Sequence, residues 1–258
     1  MIDILGVSVL QVVSFLLIFL RLFTILSIFQ PFGFRIMSNS IRLLLAISMS
    51  LVLVQLYRLK ELPEINTLIV LGIKEIIIGL VIGLLSNIIF YMLQLAGQII
   101  DFQIGLSLAN IVNPAFDIQL SPIGDLLFVL GIFIFIISGG HLRVLEAVGY
   151  SFNLVPIGEI NLNNYVFIES FNLLGNFVLQ VALNFTAPII TTMLLVDIII
   201  GIIARTVPQI NIFIIGLPLK TGLALLALVV LIGNIPDLIN RELPYLVREM
   251  ISIIKGFR

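Results

Sequence analysis

The residues of this chain that could do chemistry are few, and their types exclude most of it. There is no Cys and a single His, His141, so disulfides, thiolate metal sites and multi-histidine centres are ruled out. No GxSxG, HExxH or GxxxxGK pattern occurs, which removes the usual nucleophile, zinc-helix and phosphate-loop arrangements. The reading is of a protein that is not an enzyme and takes no cofactor or metal. What remains is polar groups in apolar surroundings. Asn87, Tyr91, Gln94, Gln98 and Asp101 recur at i, i+4, i+7, i+11 and i+14, one face of a helix. Such a stripe faces a water-filled passage or a polar seam between subunits, or it bonds to neighbouring helices of its own chain. Lys74, Glu75 and Asp197 are charges inside apolar runs, each costing about 2.5–3.5 kcal/mol at a membrane-helix centre. Two acids and a lysine trace no proton path across a bilayer, so structural pairing is the favoured role. Asp197 is two helical turns from Arg205, too far for direct pairing, and needs a partner elsewhere.

The elements that must position these groups are set by composition. Of 258 residues, 60% are hydrophobic and 10% charged, and the mean hydropathy is +1.26; soluble domains run nearer 45–50% apolar and about 25% charged. A water-soluble globule could not hide this much apolar surface, so lipid or a large apolar assembly is the solvent. The net charge of −1 and the lack of basic runs argue against nucleic acid as a partner. The N-terminus carries an acid where a signal peptide carries basic residues, so residues 4–20 read as a retained first membrane segment. Further charge-free runs cover residues 43–57, 76–100, 126–142, 170–196 and 221–236, about six segments in all. They must be helical, because backbone in lipid has to satisfy its own hydrogen bonds. The expected fold is therefore all-α, with several segments short or kinked. Pro188 interrupts the longest run and should kink it. Residues 1–258 read as a single membrane domain, with an amphipathic tail at 241–258 lying at a surface. Loop charges do not decide its orientation in the membrane.

Three further stretches stand out. Gly72, Gly79 and Gly83 share one side of a helix, and the Gly79–Gly83 spacing lets a second helix approach closely, either within the chain or from another subunit. Residues 101–124, "DFQIGLSLANIVNPAFDIQLSPIG", turn at Asn113 before Pro114 and at Ser121 before Pro122. The loop holds Leu108, Ile111, Val112 and Phe116, apolar enough for a re-entrant packing loop or for a constriction that seals a pore by excluding water. Residues 206–222, "TVPQINIFIIGLPLKTG", place Pro208, Gln209 and Asn211 before a short apolar stretch and Gly216, Pro218 and Lys220 at its end. Residues 212–217 would rise only about 9 Å as a helix, against a hydrocarbon core of about 30 Å.

The stretches "AGQIIDFQIGLSLANIVNP" (96–114), "GGHLRVLEAV" (139–148) and "LLVDIIIGIIARTVPQINIFIIGLPLK" (194–220) resemble the flagellar biosynthetic protein FliR family and its type III secretion counterparts, in length and order as well as in motif. The resemblance implies a core subunit of the type III protein-export gate in the bacterial inner membrane, at the flagellar basal body. It implies assembly with FliP-like, FliQ-like and FlhB-like subunits around a channel for unfolded protein substrates. It makes residues 207–222 a bent connection within a hairpin, with Pro208 and Pro218 setting its turns, and puts residues 109–117, including Pro114, near the channel plug. Here the sequence departs from the family, with Leu108 and Ile111 at sites where the family's loop is richer in Phe. The rival reading is a secondary transporter of small solutes. It requires broken helices matched in two repeated halves, and only one Pro-broken segment is evident.

Overall fold

The computed structural model describes residues 8–33, 37–59, 61–106, 121–159, 164–207 and 212–256. Among the described residues there is no strand, and the chain runs through nine α-helices: α1 (Val9–Ile28), α2 (Asn39–Leu56), α3 (Ile65–Ser86), α4 (Ile88–Ile104), α5 (Pro122–Ile137), α6 (Gly140–Leu154), α7 (Asn164–Thr206), α8 (Ile212–Ile232) and α9 (Ile235–Lys255). The all-α expectation holds. Five helices are long and apolar enough to cross a membrane, or six if α5 and α6 together count as one broken span.

The chain divides into two compact units. The first comprises Met1–Ile88, Gly139–Leu173 and Glu242–Arg258. Its α1 opens with a capping box: the Ser8 hydroxyl accepts from the Gln11 amide at 3.3 Å and the Gln11 side chain accepts from the Ser8 amide at 3.1 Å, satisfying two donors that a helix start leaves free. α1 packs against α2 and α3 and buries Leu17, Ile18, Leu22, Ile25 and Leu26. α2 buries only Arg42, Ala46 and Ser50, a stripe at four-residue spacing. Arg42 donates to the carbonyls of Phe32 and Met37, both at 3.1 Å, and so ties up the turn before its own helix. In the tail, Leu243, Leu246, Met250, Ile253 and Ile254 are buried, and the Ser86 hydroxyl lies 3.8 Å from the Met250 sulfur. The apolar side of the tail thus turns into the core of this unit.

The second unit comprises Ile89–Ser138 and Leu174–Arg241. Its α4 and α5 run antiparallel and meet at successive levels. Phe90 packs edge-on against Phe128 and Phe135, with ring centroids 6.2 and 5.1 Å apart. Leu93 fills the space above Gly131, and Gly97 sits directly on Gly124.

The helices differ from the sequence expectation in three places. The run 76–100 is not one helix, because α3 gives way to α4 at Asn87, a turn residue. Arg21 does not end the first segment; it lies inside α1 and is fully buried. Pro218 sets no turn. It lies inside α8, as Pro188 lies inside α7, since a membrane helix can lose one backbone bond at a proline when its surroundings re-satisfy the freed group. Gly216, Pro218 and Lys220 are therefore helical, and α8 is long enough to span a membrane. That removes the puzzle of a stretch too short to cross.

Candidate functional site

The first unit is built around a buried ion pair. The Arg21 guanidinium on α1 donates from Nε to the Glu75 carboxylate of α3, and both side chains are fully buried. The remaining guanidinium donors reach the Val155 carbonyl at 3.1 and 3.2 Å and, weakly, the Ser151 hydroxyl at 3.5 Å. The other Glu75 oxygen accepts from the Gly158 amide at 3.1 Å. The cation lies 4.2 Å from the centroid of the Phe152 ring, where the ring quadrupole attracts it. Arg21 and Glu75 thus join α1, α3 and the end of α6. The charge at Glu75 is paired within the chain, and its partner Arg21 lies just past the charge-free run 4–20, inside α1.

The glycine face lies on α3 and its partner is α1. A Cβ on Gly79 would stand 2.7 Å from the Arg21 carbonyl and 2.8 Å from the Thr24 Cβ, and one on Gly83 would stand 2.9 Å from the Ile28 Cβ. Gly72 is looser, with Leu20 at 3.4 Å. The close approach is therefore within the chain, and it presses Arg21 toward Glu75 on the neighbouring turn.

The polar stripe splits. Asn87 is fully buried; its side chain accepts from the Gln30 amide and donates to the Ile28 carbonyl, both at 2.8 Å, closing the end of α1. Asp101 is buried as well. Its carboxylate accepts from the Ser121 hydroxyl at 2.7 Å and from the Ile123 and Gly124 amides at 3.2 and 3.4 Å. Those are free donors at the start of α5, which Pro122 opens without an N–H of its own. Asp101 of α4 therefore caps α5 and suits the positive end of its dipole. Asn87 and Asp101 are internal contacts, and only Tyr91, Gln94 and Gln98 present polar groups outward or at half-burial. Sequence reading missed Gly97 and Gly124, the crossing that brings Asp101 to its cap. The signal was Gly97 one turn before Asp101 and Gly124 just after Pro122. Leu108, Ile111, Val112, Pro114 and Phe116 lie outside the described residues, as do Pro208, Gln209 and Asn211.

In the α7–α8 hairpin, Lys220 Nζ stands 2.8 Å from the Asp197 carboxylate. This is the partner Asp197 required. The pair sits among exposed apolar side chains, including Leu194, Ile198, Leu217 and Leu219. Among the described residues no cluster of His, Cys, Asp and Glu could hold a metal ion. The geometry is that of packing, capping and charge neutralisation.

Comparison with known proteins gives this architecture a family. The sequence pattern described as "Bacterial export proteins, family 1" matches residues 12–245. The chain is 30% identical over 224 residues to the flagellar biosynthetic protein FliR of Bacillus subtilis, covering 84% of this chain and 85% of that one. It is 34% identical over 165 residues to the Yop proteins translocation protein T of Yersinia pestis, covering 64% and 63%. It is 30% identical over 156 residues to the secretion system apparatus protein SsaT of Salmonella typhimurium, covering 60% of each.

Proposed function

The chain belongs to the bacterial export proteins, family 1, the FliR family, and on that premise we propose that it is a core subunit of the flagellar type III protein-export gate. The observation that carries this is a match running from α1 into α9, with relatives named for flagellar biosynthesis and for secretion apparatus. In this reading the chain works in the bacterial inner membrane at the flagellar basal body. It assembles with FliP-like, FliQ-like and FlhB-like subunits, binds no nucleic acid, performs no chemistry of its own, and helps form and seal a channel for unfolded substrates. Its two units act as one export-gate domain, since the chain passes from one to the other and back twice.

Two features support the mechanical part of this proposal. The Asp101 clamp ties the end of α4 to the start of α5, so the two ends of the intervening stretch are held together. That stretch carries Leu108, Ile111, Val112, Pro114 and Phe116, an apolar set suited to excluding water at a closed channel. The exposed Tyr91 and Gln98 and the half-buried Gln94 supply hydrogen-bonding groups for a neighbouring subunit or the channel wall.

The test is purification in mild detergent with an affinity tag on this chain, alongside deletion of its gene. The expected result is co-recovery of FliP-like and FliQ-like chains and loss of flagellar protein export in the deletion strain. Recovery as a lone chain or homo-oligomer, with export intact, would overturn the proposal.

A further inference from the structure

The longest charge-free run hides an uncharged polar face. Asn176, Gln180 and Asn184 on α7 follow at four-residue intervals, and all three are exposed. Thr191 continues the same side about two turns on, also exposed, with its hydroxyl donating to the Ala187 carbonyl at 2.8 Å. At about 100° per residue these groups occupy an arc of roughly 80°, and from Asn176 to Thr191 they rise about 22 Å. That is most of the depth of a hydrocarbon core, within a helix whose residues Asn172–Thr206 qualify as a membrane span. Pro188 adds to the ladder: it has no N–H, so the Asn184 carbonyl loses its helical donor and needs another.

Three environments could meet this face, and its composition decides among them. Lipid offers no hydrogen bonds to three carboxamides and a freed carbonyl, each of which is costly to strand. Water would satisfy the amides, but Ala187 stands within the same arc and Leu183 only about 20° outside it, both exposed. A water-filled passage would leave those apolar groups wet. A helix bearing both kinds of side chain satisfies both. Carboxamides donate and accept, so they pair with other amides and hydroxyls without selecting a charge. We propose that the Asn176–Gln180–Asn184 face of α7 is the seat of a membrane helix from another subunit, one with its own hydrogen-bonding side chains at four-residue spacing. This rests on the export-gate reading and adds to it which face is buried and by what chemistry.

The absence of Cys gives a clean test. Asn176→Cys, Gln180→Cys and Asn184→Cys are made singly and treated with a charged maleimide, once in the assembled complex in native membranes and once as the isolated chain in detergent. Gln180 is separately replaced by a photo-crosslinking phenylalanine. The seat predicts labelling of the isolated chain, loss of labelling in the complex, and a crosslink to the polypeptide of another subunit. Labelling that persists in the complex would mean a water-filled passage and would overturn the seat. A crosslink to lipid alone would overturn it too. If the other subunits fail to co-purify at all, the export-gate reading itself falls. If they co-purify and the reagent still enters, only the seat does.

Discussion

Arg21 with Glu75 in the first unit and Lys220 with Asp197 in the second are the same acid–base chemistry in different surroundings. The first pair is wholly enclosed, with side-chain exposures of 0% and 0%, and every guanidinium edge is met by a carboxylate, a carbonyl, a hydroxyl or an aromatic ring. In the second pair Lys220 is 17% exposed and Asp197 45%, and its neighbours on α7 and α8 are exposed aliphatic groups. One pair completes a core. The other neutralises itself on a surface that lipid could not solvate well, which leaves the carboxylate room for a further donor. Burial therefore separates what the chain does for itself from what it leaves for its surroundings.

The largest effect is expected at Glu75. Glu75→Gln leaves the Arg21 charge buried without a counter-ion, and removing one partner of a buried pair costs about 3–5 kcal/mol. The isolated chain in detergent should lose most of its thermal stability and its membrane abundance should fall steeply. Arg21→Met with Glu75→Leu should recover much of the loss, because an apolar pair of similar size is often no worse than the ions it replaces. Wild-type stability in Glu75→Gln would remove the keystone role.

The glycine contacts come next. A leucine at Gly83 must displace Ile28 of α1, and one at Gly97 must displace the Gly124 backbone. Overpacking of this kind costs about 1–3 kcal/mol, and more where backbone must move. Both Gly83→Leu and Gly97→Leu should lower the melting temperature of the chain purified without partners. Gly72→Ala, which meets only the tip of Leu20 at 3.4 Å, should leave it unchanged. If Gly83→Leu were silent in the lone chain and harmful only in the complex, the face would belong to a subunit seam after all.

What was legible in the sequence follows from which physical signals are local. Hydropathy alone gave the all-α membrane class, because a span in lipid has almost no other form. The Gly79–Gly83 spacing gave a close helix contact, but spacing says nothing about which helix arrives, and α1 was found only in three dimensions. The five-residue stripe was periodic as written, yet Asn87 ends α3 and its amide reaches Gln30 and Ile28, which no count along one helix could show. A charge in an apolar run reads as the end of a segment, whereas Arg21, with a buried counter-ion, ends nothing. The α7 ladder is hidden for the converse reason: residues 170–196 carry no charge, and uncharged amides do not interrupt an apolar run.

The smallest effect on the fold, and the finest probe of the comparison, is expected at Asp197 and Lys220. Exposed pairs contribute about 0–1 kcal/mol because solvent screens them, so Lys220→Met should shift the melting temperature of the isolated chain little. Assembly is a different matter. Within the complex Asp197 would be left in apolar surroundings without its cation, and a desolvated unpaired carboxylate is costly. Recovery of partner subunits with tagged Lys220→Met should therefore fall while the chain itself stays abundant. Asp197→Asn combined with Lys220→Met removes both charges and should restore part of that recovery. A Lys220→Met chain that melts as early as Glu75→Gln would show the second pair to be a core element like the first. One that keeps both its stability and its partners would mean that Asp197 stays in contact with water in the complex, and the distinction drawn between the two pairs would lose its functional meaning.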